Sequence, residues 1–539
     1  MKNLKRLFTF ICLITCLFCI SCSKDKDGAY GKRIEEDLTT TNILDDNYRN
    51  YYEIFVRSFY DSNNDGIGDL QGIIQKLDYI EDLGFTGIWL MPIHPSNSYH
   101  KYDVMDYYSV DKSYGNLDDL KELISECHKR DIKLILDMVF NHSSSSNPMF
   151  IKAKAAHEKA MKNQTLTEEE EIYQDFYCFY DDKADIPPTK TCYPVGNKGY
   201  YYEANFSSNM PEFNCDNAAV QEEFKKIMKY YLDMGVDGFR FDAVKYFYMD
   251  SQVKTIEFIG KLTKWAKDIK PDAYLVGECW DSSTTIEKYY TSGMDSFFNF
   301  ATSVNDPSGC ILNALNQEGK SLNRYYEGLL NNVKIAQDGI PAPFLDNHDM
   351  DRFTSVSNIR KTKFQYALLS MMNGTTFTYY GDEIGMIGSN SGSNPDQNVR
   401  IPMFWGEKEG TCKSLEGATE EDYLYDCAKD QIEDSNSIYS FYKKCNLLRN
   451  QNPEIARGTI SLIEMDREGR KLFIKKTYQN SEIGLLFNFS YTDDLNVDYK
   501  QFGFTEVVGQ LVVDQKDKYI GLQKDGSILM PSFSIAIVK

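Results

Sequence analysis

The strongest constraint in this chain is an alternation. From about residue 50 to about residue 450, short apolar or aromatic segments take turns with longer amphipathic ones. The strand candidates are Tyr52–Phe59, Gly87–Ile93, Lys133–Phe140, Gly238–Val244, Ala273–Trp280, Phe297–Thr302, Ala342–Asp349 and Thr375–Tyr380. Between and after them, apolar residues recur at helical spacing in Ile73–Leu83, Leu117–Lys129, Ala218–Leu232, Val253–Ile269, Ser282–Tyr290, Leu322–Ile335, Ile359–Met372 and Ile438–Leu448. Eight strands, each followed by a helix, predict an α/β fold, a (β/α)8 TIM barrel built from residues 49–142 and 216–455. A Tyr-, Asn- and Pro-rich stretch, 143–215, separates the third strand from its helix and predicts a small inserted domain. After residue 456 the pattern changes to short strands with Gly/Asp turns (Lys471–Lys476, Ile483–Asn488, Gln510–Val513, Ser532–Val538). That predicts a C-terminal all-β sandwich domain over 456–539.

The N-terminus reads as an address. Lys2, Lys5 and Arg6 precede an apolar run ending in Cys19-Ile20-Ser21-Cys22, so residues 1–21 are expected to be an export signal. The run resembles a bacterial lipoprotein signal with Cys22 as the lipidated residue, although Cys19 stands where Leu is usual. Ordinary secretion with cleavage before Cys22 is the other reading. Residues 23–48 are expected to be a polar linker. No apolar run of about 18 residues follows, so membrane contact is expected only through an N-terminal lipid anchor. The formal net charge of −21 leaves nothing to neutralise phosphates and argues against a nucleic-acid partner. An exported monomer is expected. Nine cysteines follow Cys22. Cys127 and Cys445 fall in helical patterns as core residues, whereas Cys178/Cys192 and Cys412/Cys427 are candidate disulfides.

In a barrel of this kind the active site gathers at the C-terminal ends of the strands. The third strand ends Asp137-Met138-Val139-Phe140-Asn141-His142, and the fourth Gly238-Phe239-Arg240-Phe241-Asp242-Ala243. The fifth ends Gly277-Glu278-Cys279-Trp280-Asp281, and the seventh Leu345-Asp346-Asn347-His348-Asp349. Carboxylates therefore converge on one face, with Arg240 and two of the six histidines of the chain. These four motifs, in this order, resemble the conserved regions of glycoside hydrolase family 13, the α-amylase family. Gly87-Ile88-Trp89-Leu90-Met91-Pro92-Ile93 and Tyr379-Tyr380-Gly381-Asp382-Glu383-Ile384-Gly385-Met386 resemble it too, so the likeness runs from about residue 50 through nearly the whole chain.

The resemblance implies that Asp242 is the nucleophile, Glu278 the general acid/base and Asp349 the transition-state stabiliser. Two carboxyls about 5–5.5 Å apart are what a retaining glycosidase requires. Arg240, two residues before Asp242 and so on the same strand face, should hold the nucleophile ionised. His142 and His348 resemble the pair that bonds sugar hydroxyls, Tyr102 would stack on the ring, and Lys245 resembles a subsite residue just past the cleavage point. In the segment Ser98-Tyr99-His100-Lys101-Tyr102, Tyr99 stands three residues before Tyr102, where the oligo-1,6-glucosidase branch closes its site with an Asp, and His100 follows. That favours an endo-acting site with His100 among its substrate contacts.

A second constellation is independent of the first. Asp61-Ser62-Asn63-Asn64-Asp65-Gly66-Ile67-Gly68-Asp69 sets oxygens at loop positions 1, 3, 5 and 9, a backbone carbonyl at 7 and Gly at 6. This is calcium-loop spacing, without the Glu at position 12. Asp61, Asn63, Asp65, Ile67 and Asp69 are the expected Ca2+ ligands; a plain Gly/Asn/Asp turn is the competing reading. The function implied is an α-1,4-glucan hydrolase acting on starch, glycogen or maltooligosaccharides. The alternatives are a cyclomaltodextrinase, neopullulanase or oligo-1,6-glucosidase type, and a non-enzymatic barrel homologue of transporter heavy subunits. The last would lack the carboxylates and carry a transmembrane segment.

Overall fold

The computed structural model describes residues 28–303, 309–316, 319–331, 339–418 and 423–539. The expected export signal and Cys22 lie outside these residues, as does the end of the helix expected to reach Ile335. Eight parallel strands form the barrel: β1 (Asn50–Ile54), β2 (Gly87–Leu90), β3 (Lys133–Met138), β4 (Gly238–Phe241), β5 (Tyr274–Gly277), β6 (Ser296–Asn299), β7 (Ala342–Pro343) and β8 (Thr376–Tyr379). They neighbour one another in the order β7-β6-β5-β4-β3-β2-β1-β8. A parallel bridge between Phe344 and Phe377 brings the two end strands together. The strands are buried along almost their whole length, as parallel strands covered by helices must be. Local signals set the boundaries of the helices. Asn116 and Asp119 make a reciprocal capping box at the start of Leu117–Lys129. Asn217 caps Ala218–Met234, which Gly235 ends in the left-handed region at φ 112°. At Gly238 a Cβ would lie 1.9 Å from the Tyr274 carbonyl oxygen, so glycine there lets β4 approach β5.

Several expected bounds move. The segment expected as a strand over Tyr52–Phe59 is β1 followed by a helical turn, Val56–Phe59. The expected helix Ile73–Leu83 is two short helices, Leu70–Gln75 and Leu77–Asp82, meeting at Lys76. Of the stretch Ala342–Asp349 only two residues are strand, because Asp346 and Asn347 turn their side chains onto backbone N–H groups of Phe353 and Asp349 instead.

Within 143–215, helices Pro148–Met161 and Glu168–Tyr173 accompany a three-stranded sheet in which Tyr201–Glu203 lies between Phe179–Tyr180 and Cys192–Pro194. That arrangement rules out the Cys178/Cys192 disulfide. Cys192 is the register partner of Glu203 and Cys178 accepts from Glu203 N on the other side, so the two cysteines are two strand spacings apart. Two spacings come to roughly 9.5 Å, beyond the reach of a disulfide. Cys412 and Cys427 are also unpaired: Cys412 sits beside the acids of the 61–69 loop, and the Cys427 thiol faces Asp430 at 3.2 Å. None of the nine described cysteines is in a disulfide, and Cys127 and Cys445 lie in the core.

Five antiparallel strands, β9 (Thr459–Met465), β10 (Lys471–Tyr478), β11 (Ser481–Asn488), β12 (Val507–Val512) and β13 (Ser534–Val538), form the main C-terminal sheet in the order β9-β10-β11-β13-β12. Lys476 of β10 is fully buried and donates to the Met371 and Ile455 carbonyls at 2.9 and 2.7 Å, tying this domain to the barrel. Residues 28–48 are more than a spacer. Lys32–Arg33 adds an edge strand to Gly521–Leu522, Glu36 accepts from Gln510 N at 2.9 Å, and Asn42 N donates to the Asn450 carbonyl at 3.0 Å. Among the described residues no helix is long and apolar enough to cross a membrane.

Candidate active site

Strand register builds the centre of the site. Asp137 on β3 and Arg240 on β4 are direct partners, so their side chains share the barrel interior, and Asp242 lies two residues beyond Arg240 on the same face. Arg240 is 1% exposed and holds three acids. Its Nη1 donates to both Asp137 oxygens at 2.8 and 2.9 Å and to Asp242 Oδ1 at 2.7 Å; its Nη2 lies 3.0 Å from Glu278 Oε2. The guanidinium also lies 5.2 Å from the Trp89 ring centroid. Ala243, which follows Asp242 in the chain and itself lines the cleft, has φ 46°, an uncommon conformation for a residue with a Cβ, and it aims its N–H at Glu278 Oε2 at 3.1 Å.

One guanidinium thus bridges the carboxylates of Asp242 and Glu278. Burial raises the Glu278 pKa and the charges of Asp242 and Asp349 raise it further, against the opposing pull of Arg240. A carboxyl lifted in this way keeps its proton to higher pH than a free one, which suits it to protonate a leaving oxygen. Burial likewise pushes Asp137 up to about 7, again opposed by Arg240.

Asp349 is held from two sides. His348 Nε2 lies 3.0 Å from its Oδ2, and Arg400 Nη2 lies 2.7 Å from its Oδ1. Burial alone would raise its pKa, yet these two cations hold it well below the usual carboxylate range. His348 stays charged for the same reason. Burial would lower it, but Asp349 and Glu53, whose Oε1 is 2.5 Å from Nδ1, push it up to about 10. Tyr102 OH completes the ring, 2.7 Å from His348 Nε2 and 3.1 Å from Asp137 Oδ2.

These groups open into a cleft of about 450 Å³ whose lining includes Asp242, Glu278, Asp349, Tyr102, His100, His142 and Lys245. Arg240 and His348 stand behind the wall rather than in it, and both His348 nitrogens are engaged by protein groups. His142 Nε2 is buried without a partner, and burial lowers its pKa, so a neutral ring nitrogen awaits a bond. Burial, with Arg400 next to it, lowers His100 to about 4. Lys245 pairs with Asp281 at 2.9 Å on the outer edge. The sequence reading missed Arg400, Glu53 and the role of Asp137. Glu53 left a trace, an acid in the middle of an apolar strand; Arg400 left none, since its loop carries no motif.

The 61–69 loop folds on its own oxygens. Asp61, 3% exposed, receives Asn63 N and Asn64 N on Oδ1 at 3.2 and 2.7 Å and Gly66 N on Oδ2 at 2.6 Å. Asn63 receives Asp65 N, Asp65 receives Ile67 N, and Asp69 receives Gly72 N and Ser62 N, capping the helix that follows. Lys413 Nζ donates to the Asp65 carbonyl at 3.1 Å. Among the described residues no group of three or more His, Cys, Asp or Glu side chains is placed to hold a metal ion. The donors at Asp61, Asn63, Asp65, Ile67 and Asp69 are all hard oxygens, the chemistry calcium takes, and an oxygen accepting one N–H keeps a lone pair for a cation.

Comparison with known proteins agrees with this geometry. The family described as "Alpha amylase, catalytic domain" matches residues 53–458. Alpha-amylase 3 of Dictyoglomus thermophilum is 38% identical over 430 residues, covering 77% of this chain and 80% of that protein. A 4-alpha-glucanotransferase of Thermotoga neapolitana is 31% identical over 380 residues, covering 68% and 78%. The solved structure of Eubacterium rectale Amy13B superposes with a TM-score of 0.86 at 38% identity, over 93% of this chain and 97% of that one.

Proposed function

The chain belongs to the α-amylase family, glycoside hydrolase family 13, and from that premise we infer that it is a retaining, endo-acting α-1,4-glucan hydrolase. The observation that carries this is the single guanidinium of Arg240 shared by Asp242 and Glu278 at the floor of an open cleft. Asp242 attacks the anomeric carbon while Glu278 gives its proton to the departing sugar oxygen. Once Asp242 is esterified its charge is gone, one of the influences raising Glu278 is removed, and the acid becomes the base that activates water. Asp349, kept ionised by His348 and Arg400, faces the positive charge that develops on the flattened ring. His142, with its free nitrogen, and Tyr102 fix the sugar.

Endo action is favoured by Tyr99. No carboxylate stands at that position, and its hydroxyl takes Arg400 Nη1 at 3.2 Å. Transfer to a second glucan is the reading to weigh against hydrolysis, since a relative 31% identical is a 4-alpha-glucanotransferase. We also assign Ca2+ to the loop of Asp61, Asn63, Asp65, Ile67 and Asp69, where it would add stability and take no part in proton transfer. Export, with or without a lipid at Cys22, is supported by the charged and apolar N-terminal residues. Incubation with soluble starch, with product lengths followed over time, tests the assignment. Mid-length maltooligosaccharides should appear early, and proton NMR should find them as α-anomers. Glucose alone at early times overturns endo action, products longer than the starting chains replace hydrolysis by transfer, and a β-anomer first rules out the double displacement.

A further inference from the structure

Arg400 pins Asp349, and the backbone beneath Arg400 has to be held in turn. The residue follows a five-residue helix, Pro395–Val399, with no strand to align it. Its buried guanidinium spans the site: Nη2 reaches Asp349 Oδ1 at 2.7 Å, Nη1 the Tyr99 hydroxyl at 3.2 Å and Nε the His348 carbonyl at 2.9 Å. A long side chain keeps so exact a fork only where its own backbone is fixed. Ser58 Oγ donates to the Arg400 carbonyl at 2.7 Å from one side. A second arginine holds the other. Arg352, three residues past Asp349 in the chain, is fully buried. Its Nε donates to the Val399 carbonyl at 3.1 Å, its Nη1 to the Tyr380 carbonyl at 2.7 Å and to Asp382 Oδ1 at 3.1 Å, and its backbone N–H to the Gly388 carbonyl at 3.0 Å. A circuit results: Asp349 leads along the chain to Arg352, Arg352 grips Val399, and Arg400, the next residue, returns to Asp349. Gly388 keeps the circuit tight, since a Cβ there would lie 2.5 Å from the Asn398 carbonyl oxygen and 3.1 Å from Val399 Cα.

A buried guanidinium needs its charge balanced. Two buried carboxyls meet at Arg352: Asp382, which accepts from it, and Asp346, which hydrogen-bonds to Asp382 and takes the Phe353 N–H on Oδ2 at 2.7 Å. One cation cannot balance two ionised acids. Burial raises both carboxyls, and the Asp346 charge lifts Asp382 further, well above the usual carboxylate range. Asp382 therefore keeps a proton and donates it to Asp346. The cluster is then neutral, one guanidinium, one carboxylate and one carboxylic acid, and it acts on its surroundings by position rather than by charge.

We propose that Arg352 is the positioning residue for Arg400: anchored on the Asp346–Asp382 pair, it fixes the Val399 carbonyl and so sets the reach of Arg400 to Asp349. This rests on the α-glucan reading above, in which Asp349 faces the charge that develops on the sugar ring. That charge is greatest in the transition state, so a misplaced Asp349 lowers turnover and leaves binding nearly untouched.

Arg352→Lys separates the two duties of the residue. One ammonium can stay with Asp382 and the Tyr380 carbonyl, but it has no second nitrogen for Val399. On maltoheptaose, kcat should fall at least about tenfold while KM stays within about twofold. Gly388→Ala presses on residues 398 and 399 without touching a charge; it carries the same expectation and stands in if Arg352→Lys does not fold. Asp382→Asn offers Arg352 an oxygen and Asp346 an N–H, as the protonated acid does, and should keep kcat within about threefold of wild type. The decisive arm repeats Arg352→Lys in an Arg400→Met background. There the substitution should change kcat by less than about twofold, because the side chain it positions is gone. Equal factors in the two backgrounds, or a raised KM at unchanged kcat, overturn the positioning role. A loss of more than about tenfold in folded Asp382→Asn overturns the shared proton. Wild-type protein that does not cleave maltoheptaose overturns the α-glucan reading, and this inference falls with it; wild type that cleaves it, with unaltered kcat in Arg352→Lys and Gly388→Ala, overturns this inference alone.

Discussion

Replacing Arg240 by methionine probes what holds the acids of the site together. The guanidinium is 1% exposed and lies 2.8 Å from Asp137, 2.7 Å from Asp242 and 3.0 Å from Glu278. Methionine keeps a long apolar stem and removes the charge, so three buried acids face one another with no counter-ion. Breaking a buried pair from one side costs about 3–5 kcal/mol, a large share of the roughly 5–15 kcal/mol by which proteins are stable. The pH dependence is the more specific signature. Burial pushes Asp137 up to about 7 while Arg240 opposes that rise, so in Arg240→Met it moves higher still. A carboxyl whose folded pKa exceeds its unfolded one gives stability that is complete below the unfolded value and is lost as pH rises through the folded value. The deficit of the variant against wild type should therefore hold steady up to pH ~7, where both folded forms keep the Asp137 proton, and widen above it, by up to ~1.4 kcal/mol per pH unit for each extra proton the folded variant retains. Thermal melts of wild type, Arg240→Met and Arg240→Lys from pH ~5 to pH ~8 measure it, with the lysine variant falling between the other two. A deficit equal at both ends of the range, or below about 1 kcal/mol at the alkaline end, would refute the claim that Arg240 compensates buried charge.

Asp242→Asn and Glu278→Gln should each lower turnover of starch by several powers of ten while melting close to wild type, because each removes one member of a two-carboxylate mechanism; near-normal turnover in either folded variant contradicts the assignment. Asp349→Asn removes a charge that raises Glu278, so the alkaline limb of its residual kcat/KM profile should move to lower pH; a limb that stays in place shows that Asp349 does not reach Glu278 electrostatically. Chelation should lower the melting temperature of the wild type, by a few kcal/mol of apparent stability where calcium had been at about a hundred times its Kd. Asp65→Ala should melt at the chelated temperature regardless of calcium, and identical melts of variant and wild type under both conditions reduce the loop to a turn.

The sequence carries the barrel because each strand lies within a compact apolar run, and it carries the candidate catalytic acids because they end those runs. What it hides is set by contacts across the fold. β7 is two residues long although its apolar run continues to Leu345, since the residues beyond are spent on loop turns rather than on a ladder. Arg400 reaches Asp349 from 51 positions away in a loop whose local pattern says nothing about a carboxylate partner. The cysteine pairs looked plausible by spacing, and only the order of three short strands puts Cys178 and Cys192 too far apart.

The pairing of Lys32–Arg33 with Gly521–Leu522 sets an order in time. The two partners are separated by 490 positions (522 − 32), so a ribosome releases the first long before it has made the second. β1 waits similarly for β8, since Asn50 is the register partner of Thr376. Such distant pairings close slowly, and until they close they leave strand edges and apolar residues such as Ile34 uncovered. A chain that stops short of Gly521 therefore has a loose N-terminal end that a protease can find, whereas a finished chain tucks that end away. The edge strand distinguishes complete molecules from incomplete ones, and a nick within residues 28–36 should accumulate only in C-terminally truncated protein.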